Sequence, residues 1–168
     1  MPEEPTREVL SSLKSDPKLL SFLERNPLSR LEFSDRLPAP NWNGSYDGIS
    51  RELVVNAFRA PDTYRQDFTP RISTVSNAGR NLPEAMQRSL YHELGHRVLQ
   101  TAGPEAQSQV TRLFRSGRAF PISTRAGRRP VEYFSESFAA YRFEDSFADK
   151  DPEGYDMVEK ILRLVGRK

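Results

Sequence analysis

The sequence predicts an α+β fold, mostly helical with a small mixed sheet. Two observations carry this reading: apolar residues recur at helical spacing in several segments, and β-branched density is confined to two short runs. From Thr6 to Phe33 the chain suggests short helices, with Val9, Leu10 and Leu13 and then Leu19, Leu20, Phe22 and Leu23 as their apolar positions. Asp16-Pro17 and Asn26-Pro27 punctuate them, since the residue before a proline is pushed out of helical geometry. The turn-rich Pro38–Gly44 stretch marks a boundary, dividing an N-terminal helical segment (1–40) from a domain at 41–168 within one globular unit. Ile49 to Phe58 reads as a strand centred on Leu53, Val54 and Val55, and Arg71 to Ser76 as a second, followed by a turn at Asn77–Asn81. The Arg59–Pro70 interval between them reads as an irregular loop.

Pro83, Met86, Leu90, Leu94 and Val98 form an apolar stripe at helical spacing, with Pro83 suited to a first turn and Gly103 to a stop. Pro104 to Arg118 reads as another helix, and Ala119 to Arg129 as a loop. A helix follows from Pro130 to about Glu144. The last, Pro152 to Val165, aligns Met157, Ile161, Leu162 and Val165 on one side.

Both histidines of the chain lie in His92-Glu93-Leu94-Gly95-His96, an HExxH motif on the striped helix. A spacing of four places them on one face, one turn apart, so both imidazoles can reach one divalent ion. Glu93 is rotated off that line and can meet a metal-activated water as general base without taking a ligand position. Gly95 costs on the order of 1 kcal/mol relative to alanine inside a helix, which points to close backbone packing at that turn. Imidazole suits zinc, and a catalytic zinc site wants three protein ligands with one position left open. The chain has no third histidine for an HExxHxxGxxH extension and no cysteine. The remaining ligand is therefore a carboxylate.

The best candidate segment is Glu132–Tyr141, where Glu132 and Glu136 stand four apart on a helix whose other face carries Phe134, Phe138 and Tyr141. One carboxylate can bind the ion while the other accepts the spare N–H of a ligating histidine. The competing account is an ordinary acidic helix face beside an arginine-rich loop.

HELGH followed by Glu132-Tyr133-Phe134-Ser135-Glu136-Ser137-Phe138 resembles the glutamate zincins (gluzincins), in particular the catalytic domains of anthrax lethal factor and its relatives. The resemblance covers about residues 46 to 145 and touches Asn77-Ala78-Gly79 and Leu82-Pro83; only the two helical motifs are specific. It implies a zincin-like fold, one Zn2+ per chain held by His92, His96 and Glu132, Glu136 behind the ligands, and hydrolysis of a protein or peptide substrate. It also implies that the strand before the motif helix, with Ile72, Ser73, Thr74 and Val75, holds an extended substrate by backbone pairing. The competing reading of that strand is an interior one with no ligand role. One position departs from the family: seven residues before the zinc-binding glutamate its members carry a tyrosine that stabilises the oxyanion, and here stands Arg125. Arg125, Arg128, Arg129, Tyr133 and Tyr141 are the substitutes the sequence offers.

Composition bounds the setting. At 168 residues, 36% hydrophobic and 29% charged, the chain has room for a core. With a mean hydropathy of −0.68 and no long apolar run, it predicts no membrane span. The acidic start, Met1-Pro2-Glu3-Glu4-Pro5, lacks the features of a secretory signal. With no cysteine to pair, the expectation is a cytoplasmic protein or an effector delivered by a non-Sec route. An inhibitor or immunity protein is the partner such an effector implies. Six arginines and no acid lie between Ala106 and Val131, ahead of an acidic stretch. Intramolecular charge pairing accounts for this better than a basic rim that attracts acidic substrate segments or nucleic acid, and nucleic acid is not expected as a partner. The alternative to an endopeptidase is a zinc-stabilised, non-catalytic binding or structural module of a phage head-associated or effector protein.

Overall fold

The computed structural model describes residues 3–34, 44–57, 82–120, 123 and 125–166. Among these, seven helices and three strands follow one another as α1 (Glu3–Lys14), α2 (Pro17–Arg25), β1 (Arg30–Ser34), β2 (Gly44–Asp47), β3 (Glu52–Asn56), α3 (Leu82–Ala102), α4 (Pro104–Arg115), α5 (Pro130–Phe143), α6 (Phe147–Lys150) and α7 (Pro152–Gly166). The mostly helical α+β class is as the sequence predicts. The described residues divide into two compact units, 3–93 and 94–166, and the boundary falls inside α3.

In the first unit the sheet order is β1-β3-β2, with β1 parallel and β2 antiparallel to β3. The sheet is therefore mixed. Leu53 and Val55 of β3 are fully buried, as expected of a central strand. The strand expected over Ile49–Phe58 is shorter at its start, because residues 48–51 form the turn from β2. That turn is held by the Asp47 carboxylate, which accepts the backbone N–H groups of Ile49 (2.8 Å) and Ser50 (3.3 Å). These bonds hold the Asp47 carboxyl below its usual range. Arg51 closes the turn in the left-handed region (φ 60°).

β1 corrects the expectation of helices alone before residue 40. Its five residues are too few to show a period, and pairing with β3 from Arg30↔Glu52 to Ser34↔Asn56 supplies the backbone bonds that settle the conformation. β2 shares only Gly44 with the turn-rich Pro38–Gly44 boundary, and its other three residues are likewise too few to show a period. Asp16 ties the N-terminal helices to α3: one carboxylate oxygen caps α2 through the Leu19 N–H (3.0 Å) and the other accepts the Tyr91 hydroxyl (3.1 Å).

α3 begins one residue before Pro83 and ends at Ala102, where Gly103 takes φ 95°, a conformation that costs a side chain dearly, and Pro104 starts α4. Met86, Leu90, Leu94 and Val98 of the predicted stripe are at most 1% exposed. Ala85, Tyr91 and Leu99, off the stripe, are buried as well, so α3 is a central helix and not a surface one.

In the second unit, α5 starts at Pro130 and buries Tyr133, Phe134, Ser135, Ser137, Phe138, Ala139 and Ala140. A Cβ on Gly95 would lie 2.9 Å from the Ser135 Cα and 3.2 Å from the Phe138 Cβ, so the glycine in the motif lets α3 and α5 approach closely. The start of α7 locks onto α5 through Asp151, which is wholly buried. Its Oδ1 accepts the Gly154 N–H (3.0 Å), capping α7, and its Oδ2 accepts the Tyr133 hydroxyl (2.6 Å). Burial raises the Asp151 pKa against the lowering effect of these bonds. Gly154 has no room for a side chain, since its Cβ would sit 2.2 Å from that Oδ2.

Candidate metal centre

α3 places His92 and His96 one turn apart, and α5 places Glu132 in its first turn. Each of the three offers one ligand atom, and these atoms lie within 4.8 Å of one another. His92 is buried, while the side chains of His96 and Glu132 are about one-fifth exposed (21% and 20%), which leaves a way in for an ion. The group could hold a metal ion. Two imidazoles and a carboxylate are a borderline-soft donor set that fits a transition metal better than Ca2+ or Mg2+, which prefer oxygen alone.

The carboxylate of Glu132 is differentiated. Its Oε1 faces His96 Nε2 at 3.7 Å, and its Oε2 accepts the Nε–H of Arg125 at 2.6 Å. Arg125 comes from a turn whose own backbone is anchored: Ser123 is buried, its Oγ accepts the Ala126 N–H (3.0 Å) and its carbonyl accepts the Gly127 N–H (3.2 Å).

Glu93 is 3% exposed and packs against the edge of the sheet. A Cβ on Gly44, the first residue of β2, would lie 2.8 Å from Glu93 Cγ and 3.1 Å from its Oε1, so the carboxylate occupies space that only a glycine leaves open. Sequence reasoning missed Gly44. Its one signal, a glycine at the end of a Pro- and Asn-rich run, reads equally well as punctuation. Glu136 stands four residues beyond Glu132 on α5 and is half-buried.

Of the five residues offered in place of the family's tyrosine, two are engaged elsewhere. The Tyr133 hydroxyl donates to Asp151 and the Tyr141 hydroxyl to Glu159, and burial pushes both phenols above their ordinary pKa. Arg128 and Arg129 are exposed. Arg125 is the member of the five seen bonded to Glu132. The basic stretch is partly answered from within the unit, Arg118 pairing with Glu153 at 3.2 Å. Ile72, Ser73, Thr74 and Val75 lie outside the described residues. Among the described residues no helix is long and apolar enough to cross a membrane.

No protein-family model, no curated protein and no solved structure matches the chain. The functional reading therefore stands on the site.

Proposed function

We propose that the chain is a zinc-dependent endopeptidase of zincin-like fold. The observation that carries this reading is the clustering of His92, His96 and Glu132 beside a buried glutamate, Glu93, that belongs to the same HExxH turn. His92, His96 and Glu132 would hold the ion, leaving a fourth position for chemistry. When bound, zinc supplies Lewis-acid polarisation of a carbonyl and makes water a usable nucleophile near neutral pH. Glu93 takes a proton from the attacking water at a carboxylate oxygen and passes it to the leaving amine as the C–N bond breaks. Glu136 would accept the spare N–H of a ligating imidazole and so fix its tautomer.

Gly44 gives Glu93 the space this role requires. Gly44→Ala is expected to push the carboxylate aside, at some cost in stability because the new methyl also lies 3.2 Å from the Val54 carbonyl oxygen. A displacement of ~1 Å costs roughly 10²-fold in rate. Steady-state kinetics should show kcat falling by about that factor while a zinc titration stays at the wild-type value.

A second reading, a zinc-stabilised module that cleaves nothing, is favoured by one observation. No phenol stands ready to stabilise an oxyanion among Tyr133 and Tyr141, both of which are bonded to carboxylates. Incubating the zinc-loaded chain with an unbiased peptide library separates the two. Reproducible cleavage sites that vanish on chelation and return with added zinc are expected; zinc binding without cleavage of any peptide favours the module.

A further inference from the structure

We propose that Arg125 is a positioning residue that holds the Glu132 carboxylate so that Oε1 alone is presented to the metal. The inference rests on the metal-binding reading above. Glutamate reaches a site through three rotatable bonds, and a carboxylate free to turn can bind an ion through one oxygen, through both, or swing away. Here one oxygen is taken: Oε2 accepts the Arg125 Nε–H at 2.6 Å, the length of a charge-assisted bond, while Oε1 faces His96 Nε2. The guanidinium is planar and its Nε–H fixed in direction, so it sets the plane of the carboxylate as a lysine ammonium would not.

The support behind Arg125 is also built. Ser123 and Ala126, on either side of it, are buried and bonded to each other, and Arg128 N–H closes the turn onto the Arg125 carbonyl at 3.0 Å. Water still reaches both side chains, which are 32% exposed for Arg125 and 20% for Glu132. An ion pair that water still reaches contributes only modestly to stability. Its effect should be large in metal binding and small in the melting temperature, which distinguishes a positioning residue from a structural one.

The test compares wild type, Arg125→Ala and Arg125→Lys by zinc dissociation constant, by the visible spectrum of the cobalt-substituted protein, and by melting of the metal-free form. Arg125→Ala is expected to weaken zinc about 10- to 100-fold, the usual effect of losing a partner of a ligand. Its cobalt spectrum should change as the carboxylate turns, with melting near that of wild type. Arg125→Lys should recover part of the affinity, and because it keeps the charge it carries the test if the alanine variant does not fold. Wild-type or tighter zinc binding by Arg125→Ala overturns the inference, as do superimposable cobalt spectra. Full recovery by lysine also overturns it, reducing Arg125 to a charge. A wild-type chain that binds neither ion removes the metal site itself, and this inference with it; failure confined to the variants' behaviour removes the inference alone.

Discussion

Glu93→Gln should lose hydrolysis while keeping its zinc. Glutamine has the size and shape of glutamate and can fill the same space against Gly44, so the substitution removes the proton acceptor and little else. A positioned general base contributes typically ~10²–10⁴-fold, and the loss of kcat should fall in that range. His92, His96 and Glu132 are untouched, so the zinc dissociation constant should match that of wild type. The side chain is nearly fully buried, which makes the control informative: a variant that folded differently would also shift its metal affinity. A peptide cleaved at the wild-type rate by purified Glu93→Gln would remove Glu93 from the chemistry and leave the endopeptidase reading without its base.

What could be read from the sequence follows from where the stabilising interactions lie. α3, α5 and α7 were legible because each begins with a proline in its first turn and carries apolar residues at helical spacing. α3 is also followed by Gly103, whose positive φ a glycine accepts at low cost. The turn geometry of HExxH fixes the relation of His92 to His96 before any tertiary contact forms, so that half of the site is local information. β1 and β2 were not legible. Their residues choose extended geometry through pairing with β3, a contact that short runs such as Gly44–Asp47 do not announce.

The same distinction divides the site. Glu132 was a candidate because an acidic pair at helical spacing is visible in one dimension, and α5 brings it to His96. The roles of Arg125 and Gly44 depend on the path of a turn and on the meeting of a strand with a helix, which no spacing rule contains. Gly95 is intermediate. A glycine costing about 1 kcal/mol in a helix signals a close neighbour, but only the packing identifies that neighbour as Ser135. The departure at Arg125 could be noticed from the sequence, whereas its bond to Glu132 Oε2 could not.

The zinc affinities of wild type, Glu132→Ala and Glu136→Ala, measured side by side by competition with a chelator of known strength, test the central claim most directly. Glu132 Oε1 lies 3.7 Å from His96 Nε2, and on the proposed reading it is the third ligand. Without it two imidazoles remain, too few for the three protein ligands of a catalytic zinc site. On the proposed reading Glu136→Ala removes only a support and should weaken binding roughly 10- to 100-fold. The account predicts one zinc per wild-type chain, outright loss in Glu132→Ala and an intermediate constant in Glu136→Ala. A wild-type chain that takes up no zinc, or a Glu132→Ala chain that binds it more tightly than Glu136→Ala, would contradict it.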